Sequence, residues 1–324
     1  MTQPLLLSVG TLKSRLQISS VHRQADGVVS LGLRAVDGAS LPEWTPGAHI
    51  EIELAAGIVR HYSLCGDPDD DQRWRIAVLR EPASRGGSKL IHETLRPGDV
   101  VSARGPRNNF TLVDSDRYLF IAGGIGITPI LPMVREVATR GKPWSLLYGG
   151  RKLASMAFVD ELGEISGGDL HVMPEDEHGL LDLDRFIGAP RDHTAVYCCG
   201  PGPLIEAVEQ RCSRWPAGAL HVERFTPKDV SGSCGDGEFD VRLARSGNCL
   251  RVPADRTLLE VLEEAGFDID NSCRAGICGT CELGVAEGIP EHHDDILSDA
   301  ERDSNQVILP CVSRSRSAVL VVDL

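Results

Sequence analysis

The sequence contains no hydrophobic run long enough to cross a membrane. A spanning helix needs ~18 consecutive apolar residues, and no stretch of these 324 residues approaches that length. Residues 1–7 also lack the basic segment that begins a secretory signal, and their apolar run is too short for one. We therefore expect a cytoplasmic protein that has no membrane partner.

Basic residues are in short supply as well. The 33 Lys and Arg residues face 47 Asp and Glu residues, and the formal net charge is −14. Proteins that bind nucleic acid need basic side chains to neutralise phosphates, so we expect no nucleic acid partner. The hydrophobic fraction of 42% is ordinary for a globular chain, and a chain of this length is sufficient for two or three domains.

The hydrophobic pattern predicts three domains. Residues 1–113 alternate polar and apolar side chains between glycine and proline turns, as the strands of an antiparallel β-barrel do. Residues 114–228 alternate apolar strands with helical stretches, which predicts an α/β domain with a parallel sheet. A linker rich in Gly, Ser and Asp occupies 229–237, and 238–324 form a third domain of short strands and one helix.

Four cysteines near the end of the chain are the strongest functional signal. Cys273, Cys278, Cys281 and Cys311 follow the C-x4-C-x2-C…C spacing of plant-type ferredoxins, in which four thiolates hold a [2Fe–2S] cluster. Small residues in the same loop let backbone N–H groups approach the sulfur atoms. The alternatives are a zinc site, although structural zinc sites usually use paired C-x2–4-C units, and four buried cysteines without a metal.

A glycine-rich turn is the second signal. Gly123, Gly124 and Gly126, followed by Thr128, lie between an apolar strand and a helical stretch. Glycines at such a turn let a dinucleotide pyrophosphate approach the backbone, and the N-terminus of the following helix attracts its charge. The motif is shorter than the full G-x-G-x-x-G pattern, and a tight turn without a ligand is the alternative.

A second strand-to-helix turn contains Cys199, Gly200 and Pro201. A doubly wound sheet binds its ligands at the carboxyl ends of its strands, and this turn places a thiol there. We interpret Cys198 as a buried small residue and Cys199, which adjoins the turn, as the functional candidate.

The end of one barrel strand carries a fourth signal. Arg60 offers a planar fork for a phosphate, Tyr62 offers a face for a flat ring, and Ser63 offers a hydroxyl donor. Further donors for an anion come from a loop formed by Gly86, Gly87 and Ser88. The alternative is an ordinary strand followed by a surface turn.

These motifs, in this order along the chain, resemble the phthalate dioxygenase reductase family, which includes the vanillate demethylase reductases. The resemblance covers essentially the whole chain. It implies an FMN-binding barrel, an NADH-binding α/β domain and a carboxy-terminal ferredoxin domain of the β-grasp type. FMN rather than FAD and NADH rather than NADPH are implications of the resemblance, and the basic pair Arg151 and Lys152 leaves NADPH open.

The resemblance also implies roles for individual residues. Those expected closest to the reaction are Ser63, Thr128 and Cys199. Those expected to bind FMN are Arg60, Tyr62, Ser63, Ala77, Val78, Gly86, Gly87, Ser88, Thr128, Phe225 and Ser272. Those expected to bind NAD are Gly123, Gly124, Gly126, Arg151, Cys199, Gly200 and Pro201.

Electron counting then predicts the reaction. NADH delivers two electrons as a hydride, a [2Fe–2S] cluster accepts one, and a flavin can connect the two because it is stable in three redox states. We expect the reductase component of a two-component oxygenase of the Rieske type. The same module could instead serve a P450 or a diiron oxygenase, or act as a general NADH:acceptor reductase.

The last domain is strongly acidic. Residues 238–324 carry 8 Lys and Arg but 17 Asp and Glu, so we expect this domain to dock on a basic patch of the oxygenase. The chain is expected to act as a monomer. His292 and His293, beside Asp294, are interpreted as part of a solvated loop rather than as metal ligands.

Overall fold

The computed structural model describes residues 13–54, 57–82, 84, 86–227 and 237–324. The chain divides into two compact units, which we call the first unit (Met1–Val222) and the second unit (Glu223–Leu324). The predicted linker at 229–237 lies outside the described residues except for Gly237, and the predicted domain boundaries stay predictions. No helix of the described residues is long and apolar enough to span a membrane.

Six antiparallel strands and one helix form the first half of the first unit. They are β1 (Lys13–Ala25), β2 (Val28–Ala35), β3 (His49–Glu53), β4 (Val59–Ser63), β5 (Trp74–Leu79), α1 (Gly87–Thr94) and β6 (Val100–Arg107). The strands are hydrogen-bonded in the order β4-β3-β6-β1-β2-β5. Beyond β4, a bridge between Leu64 and Ile76 joins the two edges of the sheet. This contact closes the sheet into the predicted barrel.

The interior of the barrel follows from the alternation seen in the sequence. Successive side chains of a strand point to opposite faces of a sheet, so the apolar residues of each strand meet inside. These buried residues are Leu16, Ile18, Leu31, Leu33, Ile50, Ile52, Ile76 and Val78.

Five strands and five helices form the second half of the first unit. They are β7 (Arg117–Gly123), α2 (Ile127–Thr139), β8 (Trp144–Gly150), α3 (Val159–Gly163), β9 (Gly168–Pro174), α4 (Glu175–His178), α5 (Leu183–Ile187), β10 (Thr194–Cys199), α6 (Gly202–Cys212) and β11 (Leu220–Glu223). Strands β7 to β10 run parallel in the sheet order β11-β10-β7-β8-β9. The chain order therefore reverses between β7 and β10, and a sheet of this kind binds its ligands at such a switch point.

The two halves of the first unit are tied together at β5. Cys65 and Ala77 of the barrel half belong to the same buried hydrophobic cluster as Ile127 of α2. Arg75 of β5 reaches across to Glu161 of α3, with Nη2 at 2.5 Å from Oε1. Strand β5 therefore connects the barrel to the residues around the switch point.

The second unit is a mixed sheet with a helix packed on it. Its elements are β12 (Phe239–Leu243), β13 (Cys249–Val252), α7 (Leu258–Glu264), β14 (Leu283–Glu287), β15 (Pro290–Glu291), α8 (Asp299–Ser304), β16 (Val307–Ile308), β17 (Arg314–Ser315) and β18 (Val319–Val322). The larger sheet has the order β13-β12-β18-β14-β16, with β12 parallel to β18. The leucines of α7 pack into the core of this unit. The predicted fold class, a barrel, a parallel α/β sheet and an α+β ferredoxin-like domain, is confirmed.

Candidate functional site

Three residues predicted to bind FMN lie on strand β4. Arg60, Tyr62 and Ser63 pair with β3 through the register Ile52↔Arg60, Ile50↔Tyr62 and His49↔Ser63. Ser63 is buried, whereas Arg60 and Tyr62 are half-buried. Burial raises the pKa of Tyr62 to about 12, and the Arg60 charge opposes that rise. Tyr62 is therefore a neutral phenol near a guanidinium, which suits a flat ring that carries a phosphate chain.

The predicted loop at 86–88 is in fact the beginning of helix α1. Gly86 precedes the helix with φ 98°, and none of the described side chains caps the helix. A Cβ at Gly87 would lie 2.9 Å from both Cγ and Nε of Arg60, so the arginine side chain crosses the first turn. Unpaired N–H groups at a helix N-terminus attract anions, and with Arg60 they form a cradle that fits the phosphate of FMN.

Ser88 contributes to this cradle through its backbone more than through its hydroxyl. The Ser88 hydroxyl accepts the N–H of Glu81 at 3.2 Å and donates to Ser84 Oγ at 3.0 Å. Ser84 Oγ in turn accepts the N–H of Gly86 at 3.1 Å. These side chains hold the β5–α1 connection in shape. Ser84 was not identified from the sequence.

Ala77 and Val78, predicted to line the flavin with their backbone, lie in the middle of β5. Both side chains are buried, and both residues pair with β2. His92 of α1 contacts the Val78 carbonyl at 2.9 Å through Nε2, a link between helix and strand that the sequence did not indicate. The short turn at 124–126 also contacts β5, which brings the dinucleotide motif to the barrel.

The glycines of the two strand-to-helix turns serve mainly to pack those turns together. A Cβ at Gly126 would lie 2.3 Å from the carbonyl oxygen of Cys199, and one at Gly123 would lie 2.7 Å from Cδ of Pro201. A Cβ at Gly200 would lie 3.0 Å from Cα of Gly123. Cβ atoms essentially never approach as closely as they would at Gly126 and Gly123, so glycine is required at these two positions, and at Gly200 a side chain would force its neighbours to shift slightly.

Gly124 differs from its neighbours because it faces open space. Its φ is 55°, and no atom lies within 4 Å of the position that a Cβ would occupy. It begins the short turn at 124–126 that leads into the 13-residue helix α2, across the switch point from β10. The backbone at Gly124 is therefore the place where the pyrophosphate of a dinucleotide can approach a helix N-terminus.

Thr128 and Cys199, two of the predicted catalytic residues, are both buried. Thr128 is 2% exposed, and its hydroxyl donates to the Ile125 carbonyl at 3.0 Å. Cys199 is 0% exposed at the end of β10. Neither side chain is open to solvent, so contact with the nicotinamide stays a prediction for both. Ser63 is equally enclosed at 5% exposure.

Arg151 lies just beyond the carboxyl end of β8, in acidic surroundings. It is exposed and directly follows β8, and its carbonyl accepts the N–H of Asp176 at 3.2 Å. Glu175, Asp176 and Glu177 form the exposed first turn of α4. The sequence indicated only the basic pair Arg151 and Lys152 after β8. These three carboxylates were not predicted there, because β9 itself was not predicted.

Phe225 and Ser272, predicted to contact FMN, both belong to the second unit. Phe225 is 41% exposed and Ser272 is half-buried beside the first cluster ligand. Their contacts with the flavin stay predictions.

The four predicted cluster ligands gather in two hydrogen-bonded pairs. Cys273 pairs with Cys278, and Cys281 pairs with Cys311. The pairs also interact with each other electrostatically, through Cys278 and Cys281 and through Cys273 and Cys311. The hydrogen bond from Cys273 lowers the pKa of Cys278, and the hydrogen bond from Cys311 lowers the pKa of Cys281. One thiol of each pair is therefore prepared to become a thiolate.

Backbone N–H groups point at the thiols, as a cluster-binding loop requires. Ala275 N–H donates to Cys273 Sγ at 3.3 Å, and the backbone at Gly276 opposes the rise in the pKa of the Cys311 thiol. Within the described residues, no three or more His, Cys, Asp or Glu side chains converge as they would around a single metal ion. Two pairs of thiols instead suit a [2Fe–2S] cluster, in which two ligands serve each iron, and the residues present fit that group.

The loop of His292 and His293 is not solvated, and this interpretation was wrong. Their side chains are only 8% and 11% exposed, and that of Asp294 is fully buried. The physical reason is that Asp294 folds the loop onto its own backbone N–H groups and onto Arg302. A run of polar residues gives no sequence signal for such internal pairing.

Two family models match the chain. The 2Fe-2S iron-sulfur cluster binding domain matches residues 241–316, and the oxidoreductase NAD-binding domain matches residues 120–210. Each match covers the part of the chain where the corresponding motif and geometry lie.

Relatives of known role match nearly the whole chain. Vanillate O-demethylase oxidoreductase of Pseudomonas sp. (strain HR199) is 40% identical over 314 residues, which cover 95% of this chain and 98% of that protein. The solved structure of phthalate dioxygenase reductase, described as modular for electron transfer from pyridine nucleotides to [2Fe–2S], has a TM-score of 0.67 at 36% identity and covers 97% of this chain and 98% of that one. The solved structure of an intact type IV self-sufficient cytochrome P450 monooxygenase has a TM-score of 0.90 at 38% identity. The match covers 100% of this chain but 43% of the P450 chain.

Proposed function

Because this chain belongs to the family of phthalate dioxygenase and vanillate demethylase reductases, we propose that it carries electrons from NADH to a Rieske-type terminal oxygenase. The family supplies FMN and a [2Fe–2S] cluster as its cofactors. When bound, the flavin accepts a hydride from the nicotinamide and releases single electrons, which the cluster carries onward.

One observation carries this proposal: two distinct kinds of cofactor site occur in one chain. The first unit contains a switch-point crevice and an anion cradle, and the second unit contains four thiols in two pairs. A protein that only stored electrons would not need the crevice, and a simple dehydrogenase would not need the thiols. The combination supports the conversion of a two-electron donor into one-electron steps.

The residues of the first unit bind and orient rather than react. Arg60 and the N–H groups of α1 hold the phosphate, and Tyr62 offers its ring to the isoalloxazine. Gly124 lets the dinucleotide approach the backbone. Ser63, Thr128 and Cys199, all three buried, are proposed to lie where the two rings meet. Holding two rings in contact lowers the entropic part of the barrier to hydride transfer.

Phe225 and Ser272 are proposed to complete the flavin site from the second unit. Phe225 exposes an aromatic face that a flavin ring could cover, at 41% exposure. Ser272 precedes the candidate ligand Cys273 directly. Both roles rest on the family resemblance.

A Rieske-type acceptor is favoured by the energetics of electron transfer. Plant-type clusters have reduction potentials of about −400 mV, whereas Rieske centres lie at roughly −150 to +300 mV. Electrons therefore run downhill from this cluster to such a partner. A P450 acceptor is the competing outcome, since the chain also resembles part of a self-sufficient P450.

Docking is proposed to use helix α8. Most arginines of the second unit form ion pairs with acidic residues of that unit outside α8. These pairs are Arg242–Glu287, Arg245–Asp323, Arg251–Asp240, Arg256–Glu264 and Arg274–Glu263. In residues 237–324, no such pair involves Asp299 or Asp303 of α8. Glu301 of α8 lies near Glu282, the residue that follows ligand Cys281. Burial and the negative charge of Glu301 raise the pKa of Glu282. This surface beside the cluster suits a basic patch on the oxygenase.

NADH rather than NADPH is proposed as the donor. The exposed carboxylates of Glu175, Asp176 and Glu177 border Arg151 at the end of the crevice. Carboxylates suit the ribose hydroxyls of NADH, and they repel a 2′-phosphate. Substituting all three by neutral amides should raise kcat/KM for NADPH relative to NADH, and an unchanged ratio would remove these acids from the explanation.

The protein is further proposed to be monomeric and cytoplasmic. Each predicted cofactor site is built within one chain, so no second copy is needed. Light scattering of the purified protein tests the first statement, and cell fractionation tests the second.

The decisive experiment is reconstitution with candidate oxygenases. NADH should bleach the flavin and the cluster of the purified protein, and a Rieske oxygenase should then turn over at a rate that falls as salt rises. The double variant Asp299→Asn with Asp303→Asn should weaken this coupling. Asp240→Asn with Glu287→Gln removes the same charge from acids already paired with arginine, and it should change the coupling less. Turnover with a P450 only would overturn the choice of partner.

A further inference from the structure

The loop at 292–297 is organised around one buried carboxylate. The Asp294 side chain is 0% exposed, and its Oδ1 accepts the N–H of Leu297 at 2.9 Å and of Ile296 at 3.2 Å. Arg302 supplies the counter-charge: its Nη2 lies 3.2 Å from the same oxygen and donates to the Asp294 carbonyl at 2.6 Å. Nε of Arg302 also donates to the Leu297 carbonyl at 2.9 Å. The pair therefore fixes the path of the loop from both ends.

This loop contacts the cluster-binding loop through a single glycine. Asp295 N–H donates to the Gly276 carbonyl at 3.0 Å. Gly276 has φ 69°, and a Cβ there would lie 3.0 Å from Cα of Asp294 and 2.7 Å from Cγ2 of Val312. Gly276 is therefore held between the Asp294 loop and the residue that follows ligand Cys311.

The residue before Gly276 reaches a ligand sulfur. The backbone N–H of Ala275 donates to Cys273 Sγ at 3.3 Å. Hydrogen bonds to the sulfur atoms of a cluster, and the groups that orient its ligands, set its reduction potential. A bond of this kind withdraws charge from the thiolate, so the cluster is easier to reduce when the bond is well made.

We propose that Asp294 is a positioning residue for the cluster: through Arg302 and Gly276 it fixes the loop that aims the Ala275 N–H at Cys273 and so holds the reduction potential of the cluster up. Asp294 touches neither the ligands nor the substrate of the reaction. The inference rests on the cluster of the proposed function, and it is independent of the partner's identity.

The test neutralises the pair without changing the net charge. The full-length holoprotein with Asp294→Asn and Arg302→Gln is compared with the parent by EPR-monitored redox titration, with iron content measured on the same samples. Loosening the loop weakens the N–H bond from Ala275 to Cys273, so we expect a more negative midpoint potential and altered g values. An unchanged or more positive potential, with both irons retained, overturns the proposal.

A milder variant keeps the test decisive if the double variant loses iron. Arg302→Lys keeps the charge but lacks the fork that contacts Asp294 and Leu297 together, so a smaller negative shift is expected, and no shift overturns the proposal. The matched control is Arg245→Gln with Asp323→Asn, an exposed pair at 3.0 Å in the same unit, which should leave the potential unchanged. A parent protein without a cluster would instead refute the proposed function.

Discussion

The two units of this protein present their cofactor chemistry in opposite ways. In the second unit the chemistry is carried by side chains, the four thiols of Cys273, Cys278, Cys281 and Cys311, three of which lie in one loop. In the first unit it is carried largely by the backbone, at the N-terminus of α1 and at Gly124. Only a few side chains, such as Arg60, add to it.

The difference decides which substitutions each unit tolerates. A side-chain ligand fails when its donor atom is replaced, whatever the new side chain's size. A backbone site fails when an added atom blocks the close approach of two chain segments. The following predictions test this contrast, beginning with the largest effect.

Replacing a ligand thiol should abolish the function of the second unit alone. Cys311→Ser removes one member of the Cys281–Cys311 pair, so the cluster and electron transfer to the oxygenase should be lost. NADH should still bleach the flavin, because FMN binds in the first unit. The matched control is Cys212→Ser, a buried thiol in α6, and visible spectra with iron analysis measure the result. Retention of the cluster in Cys311→Ser would contradict the contrast.

Adding one methyl group at the switch point should disable the first unit. The Cβ of Gly126→Ala would lie 2.3 Å from the Cys199 carbonyl oxygen, which forces the two turns apart. We expect a loss of about 3 kcal/mol in unfolding free energy and a sharp rise in KM for NADH. Gly202→Ala, whose Cβ would have no atom within 4 Å, should lower the free energy of unfolding far less. If denaturant melts gave the two variants the same free energy of unfolding, the packing argument would be ruled out.

Removing the guanidinium of Arg60 should weaken FMN binding without unfolding the barrel. A charged hydrogen bond contributes about 1.5–3 kcal/mol, so Arg60→Gln should raise the FMN dissociation constant roughly 10- to 100-fold. Arg80→Gln, which breaks an exposed pair with Glu93 at 2.6 Å, is the control. Flavin fluorescence titration gives both constants, and a similar change in the two variants would show that Arg60 does not touch the phosphate.

The smallest effect concerns pH and the barrel. Burial, with His61 and Arg107 nearby, lowers the pKa of His49 from 6.5 to about 3. Below pH 6.5 the unfolded chain therefore binds a proton that the folded chain refuses, and stability falls by about 1.4 kcal/mol per pH unit. His49→Gln should reduce the loss between pH 6.5 and 5.5 by about 1 kcal/mol, since at pH 6.5 the unfolded histidine is only half protonated, whereas the exposed His22→Gln should not. Urea melts at pH 6.5 and pH 5.5 measure this change in the free energy of unfolding.

The sequence predicted some site elements well because their physics is local. The spacing of the four cysteines and the strand-to-helix position of Gly124 follow from neighbours in the chain. Helix α1 was missed because it is short and begins with two glycines, so the phosphate cradle was predicted as a loop. The acids at 175–177 were missed because β9, which delivers them to Arg151, has no clear alternation.

The amino-acid sequence on its own determined the fold class, the spacing of the four candidate ligand cysteines and the positions of the two glycine-containing strand-to-helix turns, because periodicity and short motifs encode local geometry. Only the tertiary structure decided that Gly123, Gly126 and Gly200 pack against one another, that Asp294 is buried, and that Arg60 crosses α1. Those facts depend on contacts between segments far apart in the chain. Such contacts arise from the closing of the barrel and the order of the sheets, which no local pattern contains.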